Sequence, residues 1–362
     1  MKKFFLFFAI IICFAACKKS PVLPIVPVPT GTNIYVAGYE NKVAKYWKNG
    51  TAVILADPSL NTAINSIVVS GNDVFAGGYE INNNANPVKV AKYWKNGTGV
   101  TLTDATSTTN APEINAMAVS GTDVYAGGYE RNASSIEVAR YWKNGTPVSL
   151  TGSASTSRNA RINGITVIGN DVYAAGYEFV LRTDMSGTYA VLVAKYWKNG
   201  VDITLNDTQD FTTSYASSIA VSVSDVYVAG YTNGGVSGGV FKIAKYWKNG
   251  VTVNLTNGLT YDAEANSIIV IGSDVYVAGI EKNAAGNTVA KYWKNGTAVK
   301  LTDGTRNAAA NSITVSGSDV YVAGYELDNT YNYVAKYWKN GTAFALTDGS
   351  KVAIATSVVI GN

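Results

Sequence analysis

The side chains that could do chemistry in this chain are carboxylates, because histidine is absent from all 362 residues. Its absence excludes the catalytic triads, general bases and metal sites that depend on an imidazole. The best non-repeated group of acids is Asp207, Asp210, Asp262 and Glu264. If neighbouring loops bring these acids together, they could bind Ca²⁺ or supply a general acid and a general base. Scattered surface acids are the alternative interpretation.

A repeated motif must position any such site. The sequence AKYWKNG occurs seven times, with Arg140 as the one changed letter, and the copies contain every tryptophan of the chain. These tryptophans are Trp47, Trp94, Trp142, Trp197, Trp247, Trp293 and Trp338. Successive tryptophans are 45 to 55 residues apart. A repeat of this length is typical of one supersecondary unit that stacks on its neighbours.

One unit contains four short runs rich in β-branched and aromatic residues, which predict strands. In the second unit these runs are Ser66 to Ser70, Val74 to Glu80, Val90 to Lys95 and Thr98 to Thr103. Asn96-Gly97 between the last two is a strong type I′ hairpin signal. Four antiparallel strands at this period predict a propeller blade, so the fold class is an all-β, seven-bladed β-propeller.

The two ends of the repeat region predict how the ring closes. The chain enters the pattern at a second strand (residues 33–40) and leaves it after a first strand (residues 356–361). The two fragments would complete one blade, with the N- and C-terminal strands paired. Small pairs such as Ala37-Gly38 inside the second strands predict close approach of another backbone, where blades taper together.

The order SI-x-V-x-G-x-D-VYVAGY followed by YWKNG resembles bacterial YVTN-type propeller repeats. Its aromatic core also resembles the extracellular HAF-type repeat. The resemblance covers residues 32–362 and implies the propeller fold without placing catalytic residues, since propellers host unrelated activities.

The N-terminus resembles the export signal of a bacterial lipoprotein. Lys2-Lys3 precede an apolar stretch too short to span a bilayer, and residues 14–17 (FAAC) resemble a lipobox. We therefore expect a signal peptide at 1–16, a lipidated Cys17 and a Pro-rich linker at 17–31, ahead of the propeller at 32–362. An ordinary signal peptide with an incidental cysteine is the alternative. By this resemblance the protein lies in the cell envelope, anchored to the outer membrane of a Gram-negative bacterium.

The net charge and the cysteine count limit which classes of partner and which covalent links we expect. Lys2, Lys3, Lys18 and Lys19 account for the formal net charge of +4, so the ring itself is near neutral. A neutral ring argues against a nucleic-acid partner. Cys13 lies in the signal peptide, so the mature domain has no disulfide. We expect a monomer without a cofactor.

Two polar rings and one aromatic set repeat from blade to blade. Six second strands end in Glu, and intra-blade Glu–Lys pairs explain them better than a cation site. The Tyr-Trp pairs fit packing between blades better than a lectin site. Small polar residues open each first strand and would ring the channel mouth as ligand-binding candidates or as structural hydrogen-bond donors. They are Asn65, Asn115, Asn163, Ser217, Asn266, Asn311 and Thr356.

Connection lengths predict which face binds. The first-to-second and third-to-fourth connections are tight, whereas the others are long and variable, with residues 179–192 the longest. These sets lie at opposite ends of a four-stranded meander, and variable loops carry binding functions. Because the repeats are nearly identical, we expect a non-catalytic binding or protein-interaction scaffold for a glycan or protein ligand. A propeller hydrolase or lyase using carboxylates, possibly with Ca²⁺, is the alternative.

Overall fold

The computed structural model describes residues 32–82, 86–104, 111–151, 158–184, 187–205, 213–234, 241–258 and 260–361. Cys17, Asp207 and Asp210 lie outside this part of the chain. Every element within it is a β-strand. No helix among the described residues is long and apolar enough to cross a membrane.

The strands form seven four-stranded antiparallel sheets, as the repeat predicts. Blade 1 contains β28 (Ala353–Gly361), β1 (Asn33–Glu40), β2 (Val43–Lys48) and β3 (Thr51–Ile54). Blade 2 contains β4 (Asn61–Ser70), β5 (Asp73–Ile81), β6 (Lys89–Lys95) and β7 (Thr98–Thr101). Blade 3 contains β8 (Glu113–Ser120), β9 (Asp123–Arg131), β10 (Glu137–Lys143) and β11 (Thr146–Ser149). Blade 4 contains β12 (Ala160–Ile168), β13 (Asp171–Asp184), β14 (Gly187–Lys198) and β15 (Val201–Thr204).

The remaining three blades repeat this order. Blade 5 contains β16 (Ser214–Ser222), β17 (Asp225–Gly234), β18 (Phe241–Lys248) and β19 (Val251–Asn254). Blade 6 contains β20 (Ala263–Ile271), β21 (Asp274–Lys282), β22 (Thr288–Lys294) and β23 (Thr297–Lys300). Blade 7 contains β24 (Ala308–Ser316), β25 (Asp319–Leu327), β26 (Tyr333–Lys339) and β27 (Thr342–Ala345).

Ring closure follows the predicted split blade. β28 pairs with β1, placing Val36 opposite Val358, and β1 continues into β2 and β3. The first strand of each blade contacts the first strands of both neighbouring blades, so these seven strands surround the central channel. The first strand of each blade is therefore the innermost.

The apolar core lies between the blades. Trp94 of blade 2, for example, packs in one cluster with Tyr35 and Ala37 of blade 1. All seven tryptophans are at most 2% exposed. The Tyr-Trp pairs therefore contribute to packing between blades, and their tryptophans are not available to stack on a sugar.

The small residues of the second strands make room for a bulge. In blade 2 the register of β4 against β5 shifts between Ile64 and Ser66, which leaves Asn65 as the extra residue. A Cβ atom on Gly78 would lie 1.9 Å from the carbonyl oxygen of Ala63. The predicted close approach is real, but the approaching backbone belongs to the same blade and not to its neighbour.

Two features of the long-loop face differ from the predictions. Residues 179–184 and 187–192 do not form a loop, because β13 and β14 continue through them and pair with each other. The first strands also begin earlier than predicted; β4 starts at Asn61, so Asn65 lies inside the strand and not at its opening. Alanines and single polar residues in this early part hid the strand pattern.

Candidate functional site

The seven small polar residues of the first strands sit at the bulges, and we call them the ring positions. Asn65 donates a hydrogen bond from Nδ2 to the carbonyl oxygen of Ile114 in the next blade, at 2.8 Å. Four other ring asparagines make the same contact, and Thr356 donates to the Ile64 carbonyl at 2.7 Å. These bonds tie neighbouring inner strands together. Their role in ligand binding stays a prediction.

The residue after each ring position adds a second set of hydrogen bonds between neighbouring inner strands. In five blades it is a serine whose hydroxyl accepts a hydrogen bond from the backbone N–H two residues after the ring position of the next inner strand. Ser66, for example, accepts from the N–H of Met117 at 3.0 Å. We call the ring residues and these serines the inner belt.

Two residues before each ring position, the first strand carries a side chain that differs sharply between blades. We call these the mouth positions, because they lie near the start of the inner strand on the long-loop face. They are Ala63, Glu113, Arg161, Tyr215, Glu264, Ala309 and Ile354. Each lies opposite the residue after the second-strand glycine, which is tyrosine except at Ile280. The repeat is therefore strongly differentiated at one place.

Three charged mouth positions form ion pairs with the preceding blade. Glu113 accepts from Lys89 Nζ at 2.5 Å, and Glu264 accepts from Lys242 Nζ at 2.6 Å. Arg161 reverses the polarity and donates to Glu137 at 2.5 and 2.6 Å through two nitrogens. Each partner lies five residues before the tryptophan of its own blade.

Aromatic rings connect these ion pairs along the mouth. The Arg161 guanidinium lies 4.1 Å from the ring centroid of Tyr129. Tyr215 packs between Tyr177 and Tyr231, with ring centroids 4.9 and 5.3 Å away and the second pair stacked. The Lys242 ammonium lies 4.8 Å from the Tyr231 ring. Blades 3 to 6 thus present a charged and aromatic half of the mouth.

Burial and these contacts shift several pKa values. Burial and the nearby charge of Glu113 raise the pKa of Tyr129 to about 12. Burial opposes the charge of Glu137, but the hydrogen bonds and charges of Arg161 and Arg131 together outweigh it and lower the Glu137 pKa. Burial also disfavours charged Lys242, yet the hydrogen bond to Glu264 and the nearby charges together raise the Lys242 pKa. The charged forms of Glu137 and Lys242 are therefore the stable ones at neutral pH.

A cavity of about 420 Å³ opens in this half of the mouth. Its lining combines four ring positions with two stacked tyrosines and one carboxylate. The lining residues are Asn115, Asn163, Ser217, Asn266, Tyr215, Tyr231 and Glu264. A volume of this size accommodates a group as large as one sugar unit, and convergent polar groups are typical of binding sites.

The four acids proposed from the sequence do not form one described cluster. Glu264 lines the cavity. Asp262 instead accepts hydrogen bonds from Lys282 Nζ at 2.8 Å and from the backbone N–H of Lys242 at 3.0 Å. Asp207 and Asp210 lie outside the described residues. Within the described part of the chain, no group of three acids or cysteines is arranged to hold a metal ion.

The glutamates that end the second strands behave as predicted. In blade 2, Lys92 Nζ lies 2.8 Å from both carboxylate oxygens of Glu80, and Lys92 stands opposite Gly78. Equivalent ion pairs lie within each of five further blades. In blade 5 Thr232 replaces the glutamate, and Lys245 is buried.

Apart from Glu264, which was proposed among the acids, sequence reasoning missed the mouth positions, since the repeats were judged too similar to hold one differentiated site. The signal was present. If the repeats are aligned on their tryptophans and bulges, the column two residues before the ring position holds acid, base, aromatic and aliphatic side chains. That column was overlooked because the inner strands were predicted to begin after it.

Comparison with known proteins supports the fold. No family model matches the chain, and no curated protein is similar to it in sequence. The β-propeller domain of the Trilobed protease from Pyrococcus furiosus matches 88% of this chain and 97% of its own, with TM-score 0.52 and 10% identity. A puromycin hydrolase matches with TM-score 0.47 and 12% identity, and the acylaminoacyl peptidase of Pyrococcus horikoshii with 0.45 and 11%. The puromycin hydrolase match covers 88% of this chain, and the acylaminoacyl peptidase match covers 87%. In both cases this chain spans about half of the other protein, 52% of its length.

The prediction of a non-catalytic scaffold is contradicted by the match to the Pyrococcus furiosus propeller, which is a domain of a protease. This match agrees with the hydrolase alternative and not with the main prediction. At 10% identity the likeness itself establishes the propeller fold alone, so the reaction must be argued from the site.

Proposed function

We propose that the protein is a carboxylate-dependent hydrolase whose active site is the cavity at the channel mouth. The observation that carries the proposal is Glu264, the one carboxylate among the described residues that line the cavity. It occupies a mouth position, where alanine, isoleucine, arginine and tyrosine also occur. Its presence there is therefore not required by the blade.

The lining indicates the kind of substrate. Amide oxygens, hydroxyls and the carboxylate are hydrogen-bond acceptors, which suit a ligand that carries several hydroxyl groups. The Nδ2 groups of Asn115, Asn163 and Asn266 are engaged with backbone carbonyls, so these asparagines are held in place before any ligand binds. The tyrosine faces add apolar contact area. A glycoside or an ester of a polyol fits this combination.

Glu264 would act as a general base in this reaction. In an ester, its carboxylate takes a proton from a water molecule, and the water oxygen bonds to the carbonyl carbon to form a tetrahedral intermediate. The bond from that carbon to the leaving oxygen then breaks, the carbonyl forms again, and Glu264 returns the proton to the leaving oxygen. In a glycoside the water attacks the face opposite the leaving oxygen, so Glu264 would act there as the base alone and the leaving oxygen would take its proton from solvent. Lys242, hydrogen-bonded to Glu264 at 2.6 Å, fixes the position of the carboxylate.

Chromogenic p-nitrophenyl glycosides and p-nitrophenyl esters test the proposal. We expect turnover of at least one class and a loss of about a hundredfold or more in Glu264→Gln, a magnitude typical of general acid–base groups. Glu281→Gln is the matched control, because Glu281 pairs with Lys291 on the same blade, outside the cavity. Absence of turnover with every substrate, or full activity in Glu264→Gln, would overturn the proposal.

We also propose that the protein is a lipoprotein anchored through Cys17. Support comes from the FAAC sequence and the four prolines that follow it before the propeller. The resemblance to extracellular HAF-type repeats agrees with export. In Cys17→Ser, membrane fractionation should move the protein into a soluble or uncleaved pool, and intact mass should lose the acyl groups. Unchanged membrane association would reject the anchor.

A further inference from the structure

The hairpin of blade 4 extends beyond the other blades on the long-loop face. β13 contains 14 residues, whereas the other second strands contain 8 to 10. The extension pairs Phe179 with Leu192 and Leu181 with Ala190, so these four side chains share one face of the hairpin. We call this the hairpin face.

The hairpin face points toward blade 5. Tyr173 and Ala175, earlier on the same side of β13, pack in one cluster with residues of blade 5. Tyr177 follows on that side and contacts Tyr215 of blade 5, with ring centroids 4.9 Å apart. The alternation of strand side chains then places Phe179 and Leu181 on the same side.

The hairpin face continues the aromatic wall of the cavity. Tyr215 lines the cavity, Tyr177 packs on Tyr215, and the ring of Phe179 meets Tyr177 edge-on at 6.3 Å. Beyond Phe179, Leu181 is 49% exposed and Ala190 is also exposed. An apolar strip thus leads outward from a polar cavity.

We propose that the hairpin face is an apolar subsite for the same substrate whose polar part occupies the cavity. The inference rests on the proposed function and specifies its substrate as amphipathic: a hydroxyl-rich group joined to an alkyl or aryl group. The cavity of about 420 Å³ holds the polar group, and the exposed strip offers the apolar surface beyond it.

The apolar group of the substrate is the occupant that the structure favours. The strip is continuous with the cavity lining through aromatic contacts. On the opposite side of the hairpin Val191 is buried, so the protein already covers the other face.

Binding of methyl and octyl β-glucosides tests the subsite. Each affinity is measured by isothermal titration calorimetry below the micelle concentration of the octyl compound. We expect the octyl compound to bind at least about tenfold more tightly, because burial of only a few methylene groups provides this factor. Leu181→Asp should reduce the preference to less than about threefold and leave methyl glucoside binding unchanged.

Val201→Asp is the matched control. Val201 is an apolar residue of the same blade, 67% exposed on β15, and should not affect the preference. Leu181→Phe adds a second measurement, since a larger apolar side chain on the same face should retain or strengthen octyl binding.

The outcomes separate this inference from the proposed reaction. A preference for the octyl compound that depends on Leu181, without turnover of any p-nitrophenyl substrate, would support the subsite and overturn the proposed hydrolase function. Turnover that depends on Glu264, with equal affinity for the two glucosides, supports the hydrolase and overturns the subsite. Failure of both glucosides to bind also overturns the subsite.

Discussion

Single residues differentiate a chain whose repeats are otherwise nearly identical. The mouth positions hold Glu113, Arg161 and Glu264 in three blades, and each charge has its partner in the preceding blade. A charge at a mouth position is thus compensated wherever it occurs, and the inner strands still close. The chain can vary this position without losing the ring, which is what a functional site on a repeat scaffold requires.

The turn residue of blade 5 is a second departure from the repeat. Val223 has φ 58° and is 99% exposed, whereas the equivalent residues of five blades are glycines with φ from 57° to 60°. A β-branched residue in this left-handed region is strained by roughly 1–2 kcal/mol. No compensating contact is visible for so exposed a side chain.

Val223→Gly should therefore stabilise the protein. We expect the free energy of unfolding to rise by roughly 0.5–1 kcal/mol, because relief of strain exceeds the added entropy of glycine in the unfolded chain. Urea unfolding followed by tryptophan fluorescence measures the change. The reciprocal Gly272→Val should lower the free energy by a similar or larger amount, and a destabilised Val223→Gly would contradict the assignment of strain.

At the scale of elements, the inner strands are joined chiefly through side chains. Their backbone hydrogen bonds are used within each blade, so the inner belt of asparagines and serines supplies the polar connection between blades. The bulge makes this possible, because an extra residue turns its side chain out of the register of its own sheet. The ring positions thus combine a structural contact with, in four blades, a place in the cavity wall.

Removing two ring asparagines tests their structural role. In the double variant Asn115→Ala with Asn266→Ala, the carbonyl oxygens of Ile162 and Ala310 lose their donors. We expect a loss of roughly 1–3 kcal/mol in the free energy of unfolding for each site. Chemical denaturation provides the measurement, and Ser217→Ala serves as a milder comparison. A fully stable double variant that binds ligand weakly would instead assign these residues to binding alone.

The ion pairs on the face that carries the tight turns should make the stability of the protein depend on pH in the acid range. An aspartate that begins the second strand accepts from the lysine and asparagine of the KNG turn in six blades; Asp274, for example, binds Lys294 and Asn295. These hydrogen bonds lower the pKa of Asp274 below 3.8. Stability from a lowered pKa is fully present above the unfolded value and is lost as pH falls through the folded value.

We therefore expect the thermal midpoint to fall as pH decreases below about 4. Blade 1 supplies the design of the control, because Asn33 replaces the aspartate there and accepts from Asn49 Nδ2 at 3.0 Å. Asp274→Asn with Asp319→Asn should weaken the acid dependence. An unchanged slope in this double variant would show that other carboxylates govern acid unfolding.

At the scale of the whole molecule, one hydrogen-bonded strand closes the ring. β28 supplies the inner strand of blade 1 and contacts the inner strands of blades 2 and 7. Its loss would expose the edge of β1 and interrupt the inner belt at Thr356.

Deletion of residues 352–362 should open the ring. We expect a lower thermal midpoint and oligomers in light-scattering measurements, because an unpaired edge strand recruits other chains. The peptide 352–362 added in trans is the control and should restore a monomer. A truncated protein that stays monomeric with the original midpoint would refute closure by β28.

The sequence by itself determined the repeating architecture. The strand runs, the Asn-Gly turns and the split between residues 33–40 and 356–361 depend on neighbours close in the chain, or on the period itself. Each blade is encoded locally, and seven copies leave a ring as the arrangement that covers every apolar face. The Glu80–Lys92 pair was predictable for the same reason, since strand register fixes it.

Only the tertiary structure decided where function could lie. The bulges, the partners of the mouth positions and the cavity depend on how adjacent blades meet, and these contacts join residues such as Arg161 and Glu137 across different repeats. The extension of the β13–β14 hairpin was equally hidden, because its apolar residues stand where other repeats have a turn. Local period specifies a blade, whereas a site between blades depends on packing contacts that no single repeat contains.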